Sequence, residues 1–112
     1  MALMMINAGA TVMSCNSHTN NLSEITKMAD VVIAAIGKPK FLTHEMVSKN
    51  AIIIDVGSNM DETGKFCGDA DFDNLEHFVR AISPSPGGVG PMTVATLIEN
   101  TWKAYKNQHH FH

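Results

Sequence analysis

Carboxylates near the ends of apolar runs, scattered histidines and cysteines, and one stretch dense in proline and glycine are the candidates for chemistry in this 112-residue chain. Asp55 closes a run of isoleucines, and Asp69 follows Gly68 and precedes Ala70-Asp71. A carboxylate so placed could serve as a general acid or base. No histidine or serine is positioned by sequence to complete a triad with either, and helix capping or backbone bonding accounts for such acids. His44 and His77 fall within helical patterns, on partly exposed faces. Cys15 and Cys67 have neither metal-ligand spacing nor a disulfide framework, and read as packing residues of an intracellular protein with reduced thiols. The tail Gln108-His109-His110-Phe111-His112 could bind a metal weakly or be a frayed polar end. No residue stands out as a catalytic acid, base or nucleophile.

The dense stretch is Pro84-Ser85-Pro86-Gly87-Gly88-Val89-Gly90-Pro91-Met92-Thr93, with three of the eight glycines and three of the four prolines. Proline fixes φ and removes a donor, whereas glycine permits backbone approaches that a Cβ would block. The alternation predicts a stiff loop of bare backbone that could lie against a flat ligand. Pro91 suits a first helical position, with nearby N–H groups facing whatever the loop holds. An ordinary proline-stiffened helix start fits the same residues.

These groups must be positioned by a single domain. The chain is 45% hydrophobic and 17% charged, with a net charge of −3 and no Lys/Arg cluster, which argues against nucleic acid as the main partner. No apolar run approaches the ~20 residues that span a bilayer, and no signal peptide is evident. A cytoplasmic or organelle-matrix location is the expectation.

The periodicity predicts an apolar helix over 1–8 closed by Gly9, a buried strand over 10–15, and a helix from a Ser23 cap to Ala29. A second strand over 30–36, a helix over 44–49 and a third strand over 51–56 follow. Residues 66–68 should return as a short antiparallel strand. Asp71 or Asp73 caps a helix through Val79, a last strand covers 80–83, and the final helix runs from about Pro91 to Asn107. In that helix Val94, Leu97, Ile98, Thr101, Trp102 and Tyr105 form an apolar stripe. Met1, Met4 and Met5 read as core residues. Uniformly apolar strands alternating with short helices indicate an α/β domain whose mostly parallel sheet is covered on both faces.

In an open α/β sheet, ligands bind outside the carboxyl ends of the strands. Here those ends are residues 16–19, 37–39, 57–59 and 84–93, four polar or Gly-rich loops expected to converge as a nucleotide cleft. The turn Ser17-His18-Thr19 offers donors and no acid. A carboxylate there would accept from the ribose of NAD and repel a 2′-phosphate, so its absence favours NADP. Histidine is a weaker phosphate partner than arginine, and a solvated polar turn explains the same residues.

Together these motifs resemble the methylenetetrahydrofolate dehydrogenase/cyclohydrolase family (the FolD type). Residues 84–93 match its P-x-P-G-G-V-G-P-M-T signature, continuing through Leu97-Ile98-Glu99-Asn100-Thr101. Ile54-Asp55-Val56-Gly57 resembles I-D-V-G, and Gly64 to Phe72 resembles G-K-x-x-G-D-V-D-F. Ala35 to Pro39 matches A-x-G-K-P, and Cys15 to Thr19 matches C-H-S-x-T. The similarity is collinear from residue 1 to about 105. It implies a Rossmann-like three-layer NAD(P)-binding domain over 1–112, lacking its first strand and the G-R-S phosphate loop. It also implies NADP as cofactor, with NAD less favoured, and a tetrahydrofolate derivative as substrate partner. In the family, 5,10-methylenetetrahydrofolate is oxidised to the methenyl form, which water opens to 10-formyltetrahydrofolate. The resemblance places Ser17, His18, Thr19, Gly37, Pro39, Gly57, Ser58 and Thr93 on the cofactor. It places Pro86, Gly87, Gly88, Val89, Gly90 and Pro91 on the folate.

The family's amino-terminal domain, with its catalytic lysine and tyrosine, has no counterpart in these residues, so the chain is expected to be inactive alone. His18, Ser58, Met60 and Ser85 depart from the commoner Arg or Lys, Ile, Arg and Val. A non-catalytic dinucleotide- or folate-binding module and a self-associating fragment are the alternatives. In a doubly wound sheet the first strand is central, and without it two neighbours carry unpaired edges that recruit other strands. Rearranged pairing, a homodimer that fills the gap, or a piece of a longer chain would follow. Size-exclusion chromatography with light scattering is expected to show association; a monomer that unfolds cooperatively would exclude edge filling.

Overall fold

A computed structural model of the chain describes residues 1–109. His110, Phe111 and His112, on which the reading of a metal-binding or frayed tail depends, lie outside the described residues. In chain order the elements are α1 (Ala2–Asn7), α2 (Leu22–Lys27), β1 (Val31–Ala34), a 3-10 turn (His44–Met46), β2 (Ile52–Asp55), β3 (Asn59–Met60), β4 (Phe66–Cys67), α3 (Phe72–Leu75), β5 (Ala81–Ile82) and α4 (Val89–Gln108). The two longest β-branched runs form adjacent parallel strands, β1 and β2, with Val31 opposite Ile52 and Ala34 opposite Asp55. β5 joins the far side of β2, also in parallel, for the order β1-β2-β5. The α/β class with a parallel sheet is therefore as expected. β3 and β4 form the predicted antiparallel return, with Asn59 opposite Cys67.

The core lies against one face of this sheet. Val32, Ala34 and Ile53 point into a cluster with Leu42, Val47, Ala51, Ala70, Leu75 and Val79. On the other face Val31 and Ile33 are exposed and Ile52 and Ile54 half-buried. The segment after β1 runs beside residues 68–71, with Leu42 bridged to Ala70 in parallel and its N–H bonded to the Asp69 carbonyl at 2.8 Å. The Thr26 hydroxyl donates to the Met46 carbonyl and so ties α2 to the 3-10 turn.

Several elements depart from expectation for local reasons. Residues 10–15 are not a strand; among the described residues no segment pairs with them, and a strand without a ladder leaves most of its N–H and C=O groups to solvent. The helix expected over 44–49 stops after one 3-10 turn because Val47 is extended, at φ −135° and ψ 159°. α2 starts from Asn21, in the left-handed region at φ 55°, so Ser23 is not its cap. α3 ends at Leu75, leaving His77 in the following turn, exposed beside Glu76. α4 begins at Val89 rather than Pro91, which falls within the first turn, where its missing N–H costs nothing.

The largest departure concerns burial. Met1, Met4 and Met5 are exposed rather than core, and the stripe of Val94, Leu97, Ile98, Trp102 and Tyr105 is exposed along α4. No residue of α1 or α4 is buried. The radius of gyration is 16.4 Å, against about 13 Å for a compact chain of this length, in keeping with a 20-residue α4, about 30 Å long, that buries none of its residues. Among the described residues, no helix is long and apolar enough to cross a membrane.

Leu75, fully buried in a small core, makes Leu75→Ala cost about 2–5 kcal/mol. Ser23→Ala should change stability by less than about 0.5 kcal/mol because Ser23 caps nothing. Urea unfolding of both variants measures the contrast; a loss of a full cap's worth for Ser23→Ala would contradict the Asn21 start.

Candidate functional site

The carboxyl ends of β2 and β5 open into a cleft of about 280 Å³. One wall is the end of β2 and its continuation, Asp55 to Ser58. The other is the Pro84–Pro91 loop leading into α4, and Phe66 and Cys67 of β4 close the side. A volume near the low end for small-molecule pockets suits a ring system rather than a whole dinucleotide. The loop is backbone-rich, as its composition predicts. Gly87 sits at φ 97°, in the left-handed region, and a Cβ at Gly88 would collide with the Pro84 carbonyl oxygen. The Ser85 hydroxyl donates to the Gly57 carbonyl at 2.6 Å and links the two walls. Ser83 reinforces the link, its hydroxyl accepting the Asp55 N–H at 2.8 Å.

The structure thus brings together Gly57, Ser58, Pro86, Gly87, Gly88, Val89, Gly90 and Pro91. Thr93 lies outside this cleft, in a shallow apolar depression on α4 with Met92, Thr96 and Leu97, and its hydroxyl donates to the Val89 carbonyl. Ser17, His18 and Thr19 form a separate, largely exposed turn. That turn is internally braced: the Asn16 N–H donates to the Thr19 hydroxyl at 2.9 Å, and the His18 N–H donates to the Asn16 side-chain oxygen at 2.8 Å. Gly37 and Pro39 are exposed on the loop after β1. Cys15 is exposed rather than packed, and Cys67 is half-buried in the cleft wall.

Asp55 and Asp69 are both buried, and neither is free for acid–base work. Asp55 Oδ1 accepts from the N–H groups of Gly57 at 2.9 Å and Asp69 at 3.0 Å, and Oδ2 accepts from Ala70 at 2.9 Å. Asp69 Oδ2 accepts from Ile36 and Gly37, and Oδ1 from Lys38 and the Asn59 side-chain amide. Burial raises the pKa of Asp69, but the hydrogen bonds from Asn59 and from Ile36, Gly37 and Lys38 outweigh it and hold the carboxyl below its ordinary value. The structural role expected of these acids is the one observed. Asn59 and the loop 36–38, which sequence reasoning did not connect with Asp69, complete the arrangement. A signal was present in two glycines. A Cβ on Gly57 would overlap the Asp69 carboxylate and backbone, and one on Gly68 would overlap the Asp55 carboxylate. Each glycine faces the other segment's acid.

Residues 1–109 match the family described as tetrahydrofolate dehydrogenase/cyclohydrolase, NAD(P)-binding domain. The bifunctional protein FolD of Methanoculleus marisnigri is 55% identical over 106 residues, which are 95% of this chain and 38% of that protein. The bifunctional methylenetetrahydrofolate dehydrogenase/cyclohydrolase FolD of Campylobacter jejuni superposes with a TM-score of 0.92 at 48% identity, over 96% of this chain and 38% of the other. The Trypanosoma brucei methylenetetrahydrofolate dehydrogenase-cyclohydrolase, solved with NADP cofactor and an inhibitor, superposes with a TM-score of 0.85 at 34% identity, over 96% and 39%. The chain spans under two-fifths of the length of these relatives.

Gly68→Ala should cost about 1–3 kcal/mol through overpacking against Asp55. The lowered pKa of Asp69 adds stability that is full above the ordinary aspartate value of 3.8 and is lost as pH falls through the lower folded-state value. Urea midpoints measured from pH 7 into that acid window should fall, and Asp69→Asn should flatten the Asp69 part of the fall. An unchanged acid limb in Asp69→Asn would show that Asp69 is not held as described.

Proposed function

The chain belongs to the tetrahydrofolate dehydrogenase/cyclohydrolase family as its NAD(P)-binding domain, and on that premise we propose that it forms the NADP side of a site that oxidises 5,10-methylenetetrahydrofolate and, by hydrolysis, yields 10-formyltetrahydrofolate. The observation that carries this reading is the cleft between Gly57-Ser58 and the Pro84–Pro91 loop, at the sheet edge where α/β domains take their ligands.

The residues present fit such a cofactor. Asp55 borders the cleft, but its oxygens are engaged by N–H groups, so no free carboxylate meets an incoming ring. The turn Ser17-His18-Thr19 contains no acid to repel a 2′-phosphate. When bound, the nicotinamide supplies the hydride acceptor. Donor carbon and acceptor ring must lie face to face at near contact, which demands walls that do not shift. Pro84–Pro91 supplies a wall without side-chain bulk, and the Ser85 hydroxyl on the Gly57 carbonyl fixes its distance from the opposite wall. Gly57 and Ser58 border the ring, Gly37 and Pro39 lie on the next loop, and Ser17, His18 and Thr19 take the ribose-phosphate end. Thr93 acts from the base of α4, on the cofactor side. Pro86, Gly87, Gly88, Val89, Gly90 and Pro91 face the folate, the proton-transferring groups come from the family's amino-terminal domain, and the chain alone is inactive. The exposed apolar residues of α1 and α4 favour a second reading, a fragment whose main behaviour is self-association, and a homodimer would serve either.

Calorimetric titration with NADP and NAD tests the proposal, with NADP expected to bind more tightly. His18→Arg should strengthen NADP about tenfold and leave NAD unchanged, because a fixed guanidinium adds a charge-assisted bond to the 2′-phosphate. Binding of neither nucleotide, with a mass that rises with concentration, would replace this reading by self-association. Turnover should appear only when the family's amino-terminal domain is supplied.

A further inference from the structure

The loop after β1 is held from outside its own sequence. The N–H groups of Ile36, Gly37 and Lys38 converge on the Asp69 carboxylate at 2.5, 3.1 and 3.1 Å. Three successive N–H groups aimed at one point form an anion nest, the arrangement that cradles phosphate in other proteins. Here the chain fills the nest with its own buried acid. Pro39, next in line, has no N–H to offer. The loop Ile36–Pro39 therefore retains no backbone donor for a phosphate, and the charge behind it repels one. The same carboxylate accepts from the Asn59 side chain at 2.7 Å, one residue beyond Ser58. One group thus sets the spacing between the loop after β1 and the loop after β2.

We propose that Asp69 is a positioning residue of the cofactor cleft: by filling the N–H nest of Ile36–Lys38 and holding Asn59, it makes the Gly37–Pro39 turn a seat for an uncharged part of the dinucleotide, a ribose or a ring, and keeps the phosphates off it. The proposal rests on the NADP-side reading above and adds which loop excludes charge and which residue makes it do so.

Amide NMR with nucleotide titration tests it. In the wild-type chain the amides of Ile36, Gly37 and Lys38 should exchange slowly, shift with NADP and stay unmoved by excess inorganic phosphate. Asp69→Asn presents an NH2 group to N–H donors, so these amides should lose protection and begin to respond to phosphate. Affinity for NADP and NAD should fall together, by about tenfold. Asn59→Ala should show the same pattern more weakly, and it decides the matter should Asp69→Asn fail to fold. A core substitution, Val79→Ala, should lower the melting temperature without weakening either nucleotide, which a merely structural role for Asp69 would not distinguish. Unchanged affinity in folded Asp69→Asn, or in Asn59→Ala when only that variant folds, would overturn the proposal. So would wild-type amides at 36–38 that move with phosphate, or equal weakening by Val79→Ala. Wild-type binding with indifferent variants sinks only the role of Asp69, whereas a wild-type chain that binds neither nucleotide sinks the functional reading and the seat with it.

Discussion

Two buried carboxylates, each held by three or four hydrogen-bond donors, organise the edge of this chain where the candidate site lies. Asp55 and Asp69 together accept from six backbone N–H groups and one side-chain amide. Taking an ion out of water costs several kcal/mol, and the cost is tolerable only when its lone pairs are met this fully. The two are also linked in series. Asp55 binds the N–H groups of Asp69 and Ala70, so the first acid fixes the backbone that carries the second. Gly57 and Gly68 complete the interlock by leaving room for the opposite acid.

The cleft inherits its character from this arrangement. Its walls are made of loops, and loops keep a fixed separation only when something other than their own sequence restrains them. The loops after β1 and β2 are restrained by Asp69, and the loop after β5 by Ser83 and Ser85. Neither buried acid offers a free oxygen to a ligand's proton, because both carboxylates are engaged by N–H donors. The result is a surface suited to holding a flat ligand in register. Ser85 matters here, since an apolar side chain at this position could not bond the Gly57 carbonyl.

The parts of the fold legible in sequence were those governed by local pattern. The valine- and isoleucine-rich runs became β1 and β2, the hairpin return fell at Phe66–Cys67, and the long stripe beyond the Pro/Gly loop became α4. Burial was not legible in the same way. The apolar run over 10–15 has strand composition but no neighbour to pair with, and Met1, Met4, Met5 and the α4 stripe are apolar without being covered. Composition states what a segment would bury, not whether anything lies against it. In the site, the Pro84–Pro91 loop and Gly57-Ser58 were readable as motifs. The bond from Ile36 to Asp69 joins residues 33 apart, and no periodicity carries that information. The spacing of Gly57 from Asp55 and of Gly68 from Asp69 held the clue, but only as a reciprocal pair.

The exposed α4 bears on what a solution spectrum of this chain would report. Helices gain most of their stability in proteins from tertiary cover rather than from propensity. α4 opens with Gly90, Pro91 and Thr93 and includes Val94, Thr96, Thr101 and Trp102, all weak helix formers. It holds one i,i+4 ion pair, Glu99 to Lys103 at 2.7 Å, whose solvent exposure makes it worth little. The sheet and its acid pair have their own cohesion, whereas α4 depends on whatever shields its stripe. Far-ultraviolet ellipticity would then track the covering of this one helix more closely than the integrity of the cleft, and the two would melt as separate units.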